Sequence, residues 1–414
     1  MSTVPPIAAS ENRSGDRPRA RHGRRIVAAL AVTQTIGYGV LYYAFSVFLT
    51  PMRRDLHAGA PQVATALTLA VLTSALCAPL VGRWVDARGA RVLMTAGSVL
   101  GTLALLAWSR VENLPQLYGV FVAVGLASAM VLYEPAFAVV VGWFDARRRA
   151  GALLAITIVA GFASTIFLPL SGLLVDRYGW RHAAVVLALL YGAAAVPLHA
   201  LVLRRGGRSR SEAAASDAES QRAGVVRAAV RERAFWLLVT AFAAHAAAVA
   251  TVAVLLISYL IRLGHPPVFA AGIAGLLGVL SVTGRLVTTG LQRRAGIAVV
   301  AAGILTAQGM AALLLPVVGR SAAGAVGCVL AFGMGFGVAA VTQPHLLAER
   351  YGTTAYATLA GRIAFFSMTA RAGAPLGAAA LAQVVGYGAV MGVVAAACAA
   401  GATALVAYHR ASRG

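Results

Sequence analysis

The strongest constraint on this chain is its division into twelve long apolar runs. A helix needs about 20 apolar residues to cross the hydrocarbon core of a bilayer. Lipid tolerates only backbone that is paired internally, and a barrel would show short alternating strands instead of long apolar blocks. The pattern therefore predicts an all-α membrane protein with twelve transmembrane helices. The runs lie at about 26–50, 61–82, 91–110, 115–142, 150–174, 181–203, 234–262, 268–290, 296–316, 322–343, 354–381 and 386–408.

Composition supports this class and excludes several others. Only 12% of the residues are charged, whereas a soluble domain carries about 25%. The three cysteines all lie inside apolar runs, which argues against a disulfide framework or a metal site. We therefore expect no metal, no cofactor and no water-soluble domain of ordinary composition.

The arginines predict the topology. All 35 basic residues are arginine. If the connections between the runs lie alternately inside and outside, 25 arginines fall in the inner segments, 7 fall in the outer loops and 3 lie within the runs. Because cytoplasmic loops carry the basic excess, both termini are predicted to be cytoplasmic. The net charge of +22 then reflects topology and anionic lipid instead of nucleic acid, since no basic stretch is interleaved with aromatic residues. We expect a monomeric, multi-pass protein of the plasma membrane, in a bacterium the cytoplasmic membrane.

One long polar segment divides the chain into two similar halves. Residues 204–233 are rich in Gly, Arg, Ser, Ala and Glu, which is typical of a flexible linker, with some helix near Val225–Glu232. Residues 1–25 are predicted to form a disordered cytoplasmic tail. The two halves, 26–203 and 234–409, are then two pseudo-symmetric six-helix bundles.

The segment Gly82–Arg91 is the densest polar group between two apolar runs in the first half. We predict a short loop at the cytoplasmic face. Gly82 permits close helix approach because it has no side chain. Asp86 is able to cap the following helix or accept hydrogen bonds from neighbouring arginines. A plain turn is the alternative to a conformational latch, which would consist of Gly82, Asp86, Arg88, Gly89 and Arg91.

This spacing, Gly-x-x-x-Asp-x-x-Gly-x-Arg after a second apolar helix, resembles the signature loop of the major facilitator superfamily. Gly82, Asp86, Gly89 and Arg91 match it residue for residue. With the helix count, the resemblance covers nearly the whole chain after residue 25. It implies a secondary transporter that works by alternating access between two halves.

Four charged residues stand out inside apolar runs, where each costs at least ~2.5–3.5 kcal/mol on insertion scales. Glu134, the only carboxylate in a predicted span, is followed by Pro135, which leaves a carbonyl without its helical partner. Glu134 is either a proton-exchanging group or a structural one, held in a fixed ion pair with an arginine of a neighbouring helix or by hydrogen bonds to freed backbone. Arg285 is suited to a substrate carboxylate or snorkels to the inner face. Arg371 either binds substrate or pairs with Glu134 or another acceptor, and Arg362, near a helix end, is interpreted as structural.

Predicted helix 1 carries a polar and aromatic stripe. Gln34, Tyr38 and Tyr42 share one face at i, i+4 spacing. Tyrosine is also common at membrane interfaces, but Tyr38 and Tyr42 lie deep in the run. We therefore expect the three side chains to line a central cavity and to contact a small organic solute.

Two further segments resemble the monocarboxylate and oxalate–formate branch of the superfamily, namely Tyr38–Phe48 and Trp143–Ala152. In that branch an arginine of helix 8 holds the substrate carboxylate, and Arg285 matches it. The sequence departs from the animal members at Ser281, where they have an acidic residue, and at Tyr43, which replaces a lysine. These departures imply that any proton coupling uses another group, for which Glu134 is the candidate.

The resulting hypothesis is secondary transport of a small organic anion, such as a monocarboxylate, with or without a coupled proton. Arg285 would bind the carboxylate, with Arg371 assisting, and Glu134 would exchange the proton. The first alternative is efflux of an amphipathic drug or neutral metabolite, although the helix-5 sequence Leu168–Gly172 departs from the usual exporter motif. A non-transporting receptor is a second alternative. An enzyme is disfavoured because no nucleophile-and-base set or metal-ligand cluster is visible.

Overall fold

The computed structural model describes residues 13–203, 212–292 and 294–412, and these residues form helices and short connections without a strand. The N-terminal half contains α1 (Arg13–Tyr38), a π-helical turn (Gly39–Tyr43), α2 (Ala44–Asp55), α3 (Ala60–Arg88), α4 (Ala90–Trp108), α5 (Leu114–Val131), α6 (Tyr133–Trp143), α7 (Ala146–Gly161) and α8 (Ala163–Val202). A linker helix, α9 (Glu212–Arg231), follows. The C-terminal half contains α10 (Arg233–Arg262), α11 (Pro267–Leu291), α12 (Ile297–Val318), α13 (Ala322–Gly333), α14 (Ala339–Tyr351), α15 (Tyr356–Val384) and α16 (Tyr387–Ala411).

Most predicted apolar runs coincide with one helix or part of one, and four extend over consecutive helices, namely 26–50, 115–142, 150–174 and 322–343. Within the described ranges, nine helical segments are long and apolar enough to cross a membrane. One of them, Ala146–Val202, has 57 residues, far more than one crossing needs. The chain turns inside it at Gly179, whose φ of 73° is the left-handed conformation that glycine accepts without strain. The chain is therefore a multi-pass membrane protein.

Two polar segments are more ordered than their sequence suggests. Helix α1 begins at Arg13, so the prediction of a disordered tail is wrong for residues 13–25, and residues 1–12 lie outside the described ranges. Contact with the bundle explains part of this order, because the His22 and Trp143 rings lie 5.0 Å apart. The helix predicted near Val225–Glu232 extends over most of the linker, as α9.

An ion pair attaches the end of the linker helix to the C-terminal half. Glu232, between α9 and α10, accepts a hydrogen bond from Nε of Arg350 on α14 at 3.0 Å. The Arg350 guanidinium lowers the pKa of the Glu232 carboxyl. The carboxylate therefore remains ionised at neutral pH, and the pair is lost only as the pH falls through this lowered pKa.

Apolar clusters fill both halves, and small residues set the contact between them. The N-terminal half has an aromatic cluster around Phe48, Trp108 and Phe121.

Helix α3 packs along α15 of the other half. Helix α15 is buried over Tyr356–Ala364 and mostly accessible over 366–384. The two halves are thus joined most closely where α3 ends and α15 begins.

Candidate functional site

The segment Gly82–Arg91 is more helical than the predicted loop. Helix α3 continues through Arg88 and α4 begins at Ala90, so that only Gly89 lies between them. The φ of Gly89 is 82°, a conformation that residues with a side chain rarely adopt. The prediction of a ten-residue polar loop is therefore wrong, and a single glycine makes the turn.

Asp86 links the two halves of the protein. Its carboxylate accepts hydrogen bonds from the backbone N–H groups of Ala357 at 3.1 Å and Thr358 at 2.7 Å. The Thr358 hydroxyl donates to it as well, at 2.7 Å. These donors form the first turn of α15, where free N–H groups and the helix dipole favour a negative charge. Capping of the following helix, one sequence-based option, is thus wrong: Asp86 caps a helix of the opposite half.

Two glycines allow the backbones to meet beside this cap. A β-carbon added to Gly82 would lie 2.1 Å from the carbonyl oxygen of Ala357. A β-carbon on Gly361 of α15 would lie 2.3 Å from the carbonyl oxygen of Ala78 on α3. Both positions require glycine for α3 and α15 to pack at this distance. The close approach expected of Gly82 therefore occurs, with α15 as its partner.

The remaining residues of the segment hold it in place within its own half and against the linker. Nε of Arg91 donates to the carbonyl of Ala200 at 2.7 Å, near the C-terminus of α8, where carbonyl groups lack helical partners. The Arg88 guanidinium lies 4.6 Å from the centre of the Trp84 ring. Arg222 of the linker helix donates to the backbone carbonyl of Asp86 at 3.3 Å. Arg91 and Arg222 thus bond backbone carbonyl groups and Arg88 lies against an aromatic ring, while the Asp86 carboxylate is bonded to α15.

Arg285 of α11 also crosses between the halves. Its side chain is only 8% exposed, so the snorkelling alternative does not describe this conformation. One terminal nitrogen donates to the carbonyl of Thr157 on α7, and the other contacts Oγ of Ser281 at 3.1 Å. The Nε group of Arg285 has no hydrogen-bond partner among the described residues. A buried guanidinium that bonds a neutral carbonyl and retains an unused N–H is suited to an anion.

Two glycines make room for this arginine. A β-carbon on Gly161, at the end of α7, would lie 3.4 Å from a terminal nitrogen of Arg285. A β-carbon on Gly337, in the turn between α13 and α14, would lie 2.6 Å from its Nε. The guanidinium thus lies in a gap that both halves form, and helix α7 ends at this gap.

Glu134 is half-buried and Arg371 is exposed, and they lie near each other without forming a direct ion pair. Neither takes part in an ion pair within the described residues. Their charges nevertheless interact, and Arg371 also interacts with Tyr38 and Tyr43. The fixed ion pair considered for Glu134 is therefore not formed among the described residues.

Aromatic rings surround these charges. The Tyr38 and Tyr133 rings lie 4.7 Å apart, and Tyr133 interacts with the Arg285 guanidinium. The π-helical turn adds a residue to the helix, so that Tyr43 interacts with both Arg285 and Arg371. Tyr42 is 38% exposed and packs edge-on against Tyr43 at 5.3 Å. Turns of this kind often occur at functional sites.

Sequence reasoning did not assign Tyr43 and Tyr133 to the site. The helical spacing that selected Gln34, Tyr38 and Tyr42 assumes a regular α-helix, and the π-helical turn changes that spacing after Tyr38. The one available signal was the position of Tyr133 directly before Glu134 and Pro135. Arg362, interpreted as structural, lies at the groove between α3, α9 and α15, away from Arg285.

Gln34 replaces a hydrogen bond that proline removes. Pro135 has no N–H to donate to Val131 four residues earlier, and the helix is interrupted at Leu132, between α5 and α6. The side-chain amide of Gln34 donates to that Val131 carbonyl at 2.7 Å. In the C-terminal half, the amide of Gln308 donates in the same way to Phe332 at 2.8 Å, near the end of α13. Oε1 of Gln34 has no partner among the described residues.

We predict that Gln34→Leu destabilises the protein. Leucine fills a similar volume but leaves the buried Val131 carbonyl unpaired, which costs about 1–3 kcal/mol. Thermal unfolding of the purified protein in detergent would measure the effect as a lower midpoint. The control is Gln383→Leu, because Gln383 is exposed near the end of α15. Equal midpoints for the two variants would contradict the assigned hydrogen bond.

The sequence of this chain is similar to a known protein family and to individual transport proteins. The family model described as Major Facilitator Superfamily matches residues 30–375. Monocarboxylate transporter 3 of Rattus norvegicus is 32% identical over 181 residues, which cover 42% of this chain and 35% of that protein. An MFS-type efflux pump of Mycolicibacterium smegmatis is 31% identical over 293 residues, covering 68% of this chain and 66% of that protein. The chain thus aligns with about a third of the first relative and about two thirds of the second.

Solved structures show the same fold at low sequence identity. A bacterial homologue of the iron transporter ferroportin, in an outward-facing state, has a TM-score of 0.75 at 16% identity and covers 93% of this chain and 99% of its own. The fucose:proton symporter of E. coli has a TM-score of 0.72 at 13% identity, with 92% and 98% covered. The human organic anion transporter TETRAN has a TM-score of 0.70 at 16% identity, with 92% and 99% covered.

Proposed function

This chain belongs to the Major Facilitator Superfamily, a family of membrane transporters, and from that premise we propose that it carries a small organic anion together with a proton. The transported anion is a monocarboxylate or a close chemical relative. Transport proceeds by alternating access, with twelve crossings, both termini in the cytoplasm and the halves 26–203 and 234–409 moving against each other. In a bacterium the protein resides in the cytoplasmic membrane.

The observation that carries this proposal is the position of Arg285 between the halves. Its guanidinium donates to the neutral Thr157 carbonyl of the opposite half, and its Nε group is unused among the described residues. A carboxylate is a stronger acceptor than a neutral carbonyl and is able to bond two N–H groups at once. An entering carboxylate therefore replaces Thr157, and binding at Arg285 weakens one tie between the halves.

Arg371 and the aromatic side chains complete the proposed site. Arg371 interacts electrostatically with Tyr38 and Tyr43, and it adds a second positive charge on α15. Tyr38, Tyr42 and Tyr133 offer apolar ring surface for the organic part of the solute. Gln34 contributes its unpaired Oε1 as an acceptor for a donor group of the solute.

Glu134 is the proposed proton carrier. Arg371 is its charge partner at a distance, and no direct ion pair holds it within the described residues. A carboxyl that is neutral when the anion is bound limits the charge that must move through the low-dielectric centre. Binding of anion and proton together is therefore coupled through the same group of charges.

We predict that Glu134→Gln separates proton coupling from solute exchange. In proteoliposomes with an imposed pH gradient, the unmodified protein accumulates a radiolabelled monocarboxylate. In the variant, this gradient-driven uptake is expected to be lower by a factor of about ten or more. Counterflow, which needs no net proton movement, persists in the variant. The control is Glu112→Gln, because Glu112 is exposed in the connection between α4 and α5. Gradient-driven uptake that survives in Glu134→Gln would refute the assigned role.

Efflux of an amphipathic cation is the second candidate. It is favoured by the likeness to the Mycolicibacterium smegmatis efflux pump and by the unpaired carboxylate of Glu134, which would hold a cation. Competition separates the two functions, because small organic anions inhibit the first and lipophilic cations inhibit the second. Inhibition by lipophilic cations alone would establish efflux as the better assignment.

A further inference from the structure

A groove of about 940 Å³ lies beside the contact between the halves, where α3 ends, the linker helix α9 passes and α15 begins. We call it the linker groove. Its polar lining is dominated by arginines from all three helices, namely Arg83, Arg88, Arg222, Arg227 and Arg362. The two acidic residues of the lining are Asp86 and Glu219. The groove is thus a strongly basic site away from Arg285.

The two acidic residues offset this positive charge only in part, because five arginines face two carboxylates. The Asp86 carboxylate is occupied by the N–H groups of Ala357 and Thr358 in the first turn of α15. Glu219 is then the one carboxylate of the lining that is not bonded to backbone there. Arg222 is half-buried and donates one N–H to the Asp86 backbone carbonyl, which leaves it further donors, because a guanidinium has five. Phosphate groups match such arginine clusters in charge and geometry.

Part of the groove is apolar and faces outward. Leu80 is 64% exposed and Trp84 is 37% exposed, both on α3. On the opposite wall, Val226 and Val230 of α9 belong to the same lining. Leu80 lies inside the apolar run of predicted helix 2, which ends at residue 82, and Arg83 is the first residue after that run. The groove therefore passes from apolar to basic surface along α3, as the polarity of a phospholipid does at the edge of a bilayer.

We propose that the linker groove binds an anionic phospholipid, with the phosphate on Arg222, Arg227 and Arg362 and the acyl chain along Leu80. Basic pockets at the cytoplasmic ends of transmembrane helices recognise such headgroups. Leu80 belongs to the N-terminal half, Arg362 to the C-terminal half and Arg222 to the linker. A lipid held by all three stabilises the conformation in which α3 and α15 are in contact, because separation of the helices divides the site.

The test uses the purified full-length protein and its thermal unfolding midpoint in detergent. Phosphatidylglycerol raises the midpoint by about 3 °C or more, whereas phosphatidylethanolamine and inorganic phosphate do not. In the triple variant R222Q/R227Q/R362Q, the shift falls to less than about a third of the original value. Native mass spectrometry of the same samples counts retained phosphatidylglycerol, which also falls in the variant.

The matched control is R53Q/R54Q/R320Q, which removes three exposed arginines of predicted outer loops and keeps the full shift. The single variant Arg227→Gln tests the same point if the triple variant does not fold, because Arg227 is exposed, and its shift is expected to be smaller than that of the unmodified protein. An equal shift with inorganic phosphate would overturn the assignment to a lipid. An equal shift with phosphatidylethanolamine, or an unchanged shift in the groove variants, would overturn recognition of the anionic headgroup. None of these readouts depends on transport.

Discussion

Replacement of Arg285 by alanine is expected to reduce monocarboxylate uptake at low substrate concentration by at least about 100-fold. A buried, hydrogen-bonded charge pair that loses one partner typically costs about 2–5 kcal/mol or more, and about 1.4 kcal/mol corresponds to a factor of ten. Arg285 is buried and contacts both Thr157 and Ser281, so no other side chain takes its position directly. Uptake of radiolabelled organic acids into proteoliposomes measures the effect.

Two further variants separate substrate binding from a merely structural tie. In Arg285→Lys the charge remains, but the planar fork that bonds a carboxylate at two points is lost, so uptake is expected to recover only in part. Arg54→Ala is the control, because Arg54 is exposed near the end of α2. Stabilisation of the detergent-purified protein by a carboxylate solute supplies a readout beyond flux. Arg285→Ala protein that keeps both this stabilisation and full uptake would contradict the proposed role.

The second large effect is expected from Gly82→Ala, a change of a single methyl group. The added carbon would lie 2.1 Å from the Ala357 carbonyl oxygen, so α3 and α15 must move apart. Overpacking of this kind costs about 1–3 kcal/mol, which lowers the population of the conformation with α3 and α15 in contact by about 5- to 150-fold. Transport is therefore expected to fall by at least about fivefold, because the alternating cycle passes through that conformation.

Accessibility measurements locate this effect. A cysteine introduced at Thr358, whose hydroxyl bonds Asp86, is expected to react faster with a thiol reagent when Gly82→Ala is also present. Gly172→Ala is the matched control, because a β-carbon at Gly172 meets no atom within 4 Å. Gly361→Ala repeats the test from the other half, where the added carbon would lie 2.3 Å from the Ala78 carbonyl oxygen. Full transport by both glycine variants would contradict the latch.

The signature segment illustrates how far sequence reasoning reached. Its spacing identified the family and the importance of Gly82 and Asp86, because the motif places small and acidic residues at a helix contact. It did not identify the partner of Asp86. The hydrogen bond to Thr358 spans 272 residues, and no local pattern indicates which helix end will lie beside the carboxylate.

The helix interruptions also separate what the local sequence predicts from what depends on helix packing. The covalent structure of Pro135 alone predicts that the carbonyl four residues earlier, that of Val131, lacks its helical N–H partner. That Gln34, 97 residues away, donates to it depends on how α1 packs against α5. Similarly, the π-helical turn at Gly39–Tyr43 changed which tyrosine interacts with Arg285. A β-carbon at Gly39 would lie 2.2 Å from the Phe167 ring, so this turn is shaped by contact with α8.

The sequence by itself determined the membrane class and the apolar segments, because length and hydrophobicity decide which segments enter a bilayer, and both are local properties. The family followed from the resemblance of the Gly82–Arg91 spacing to a known motif. Only the tertiary structure decided that Asp86 caps α15 and that Arg285 contacts Thr157 across 128 residues. The physical reason is that helices in lipid are surrounded by equally apolar alternatives, so that close packing at small residues and interhelical hydrogen bonds select their partners. Those contacts depend on three-dimensional proximity between residues that are distant along the chain.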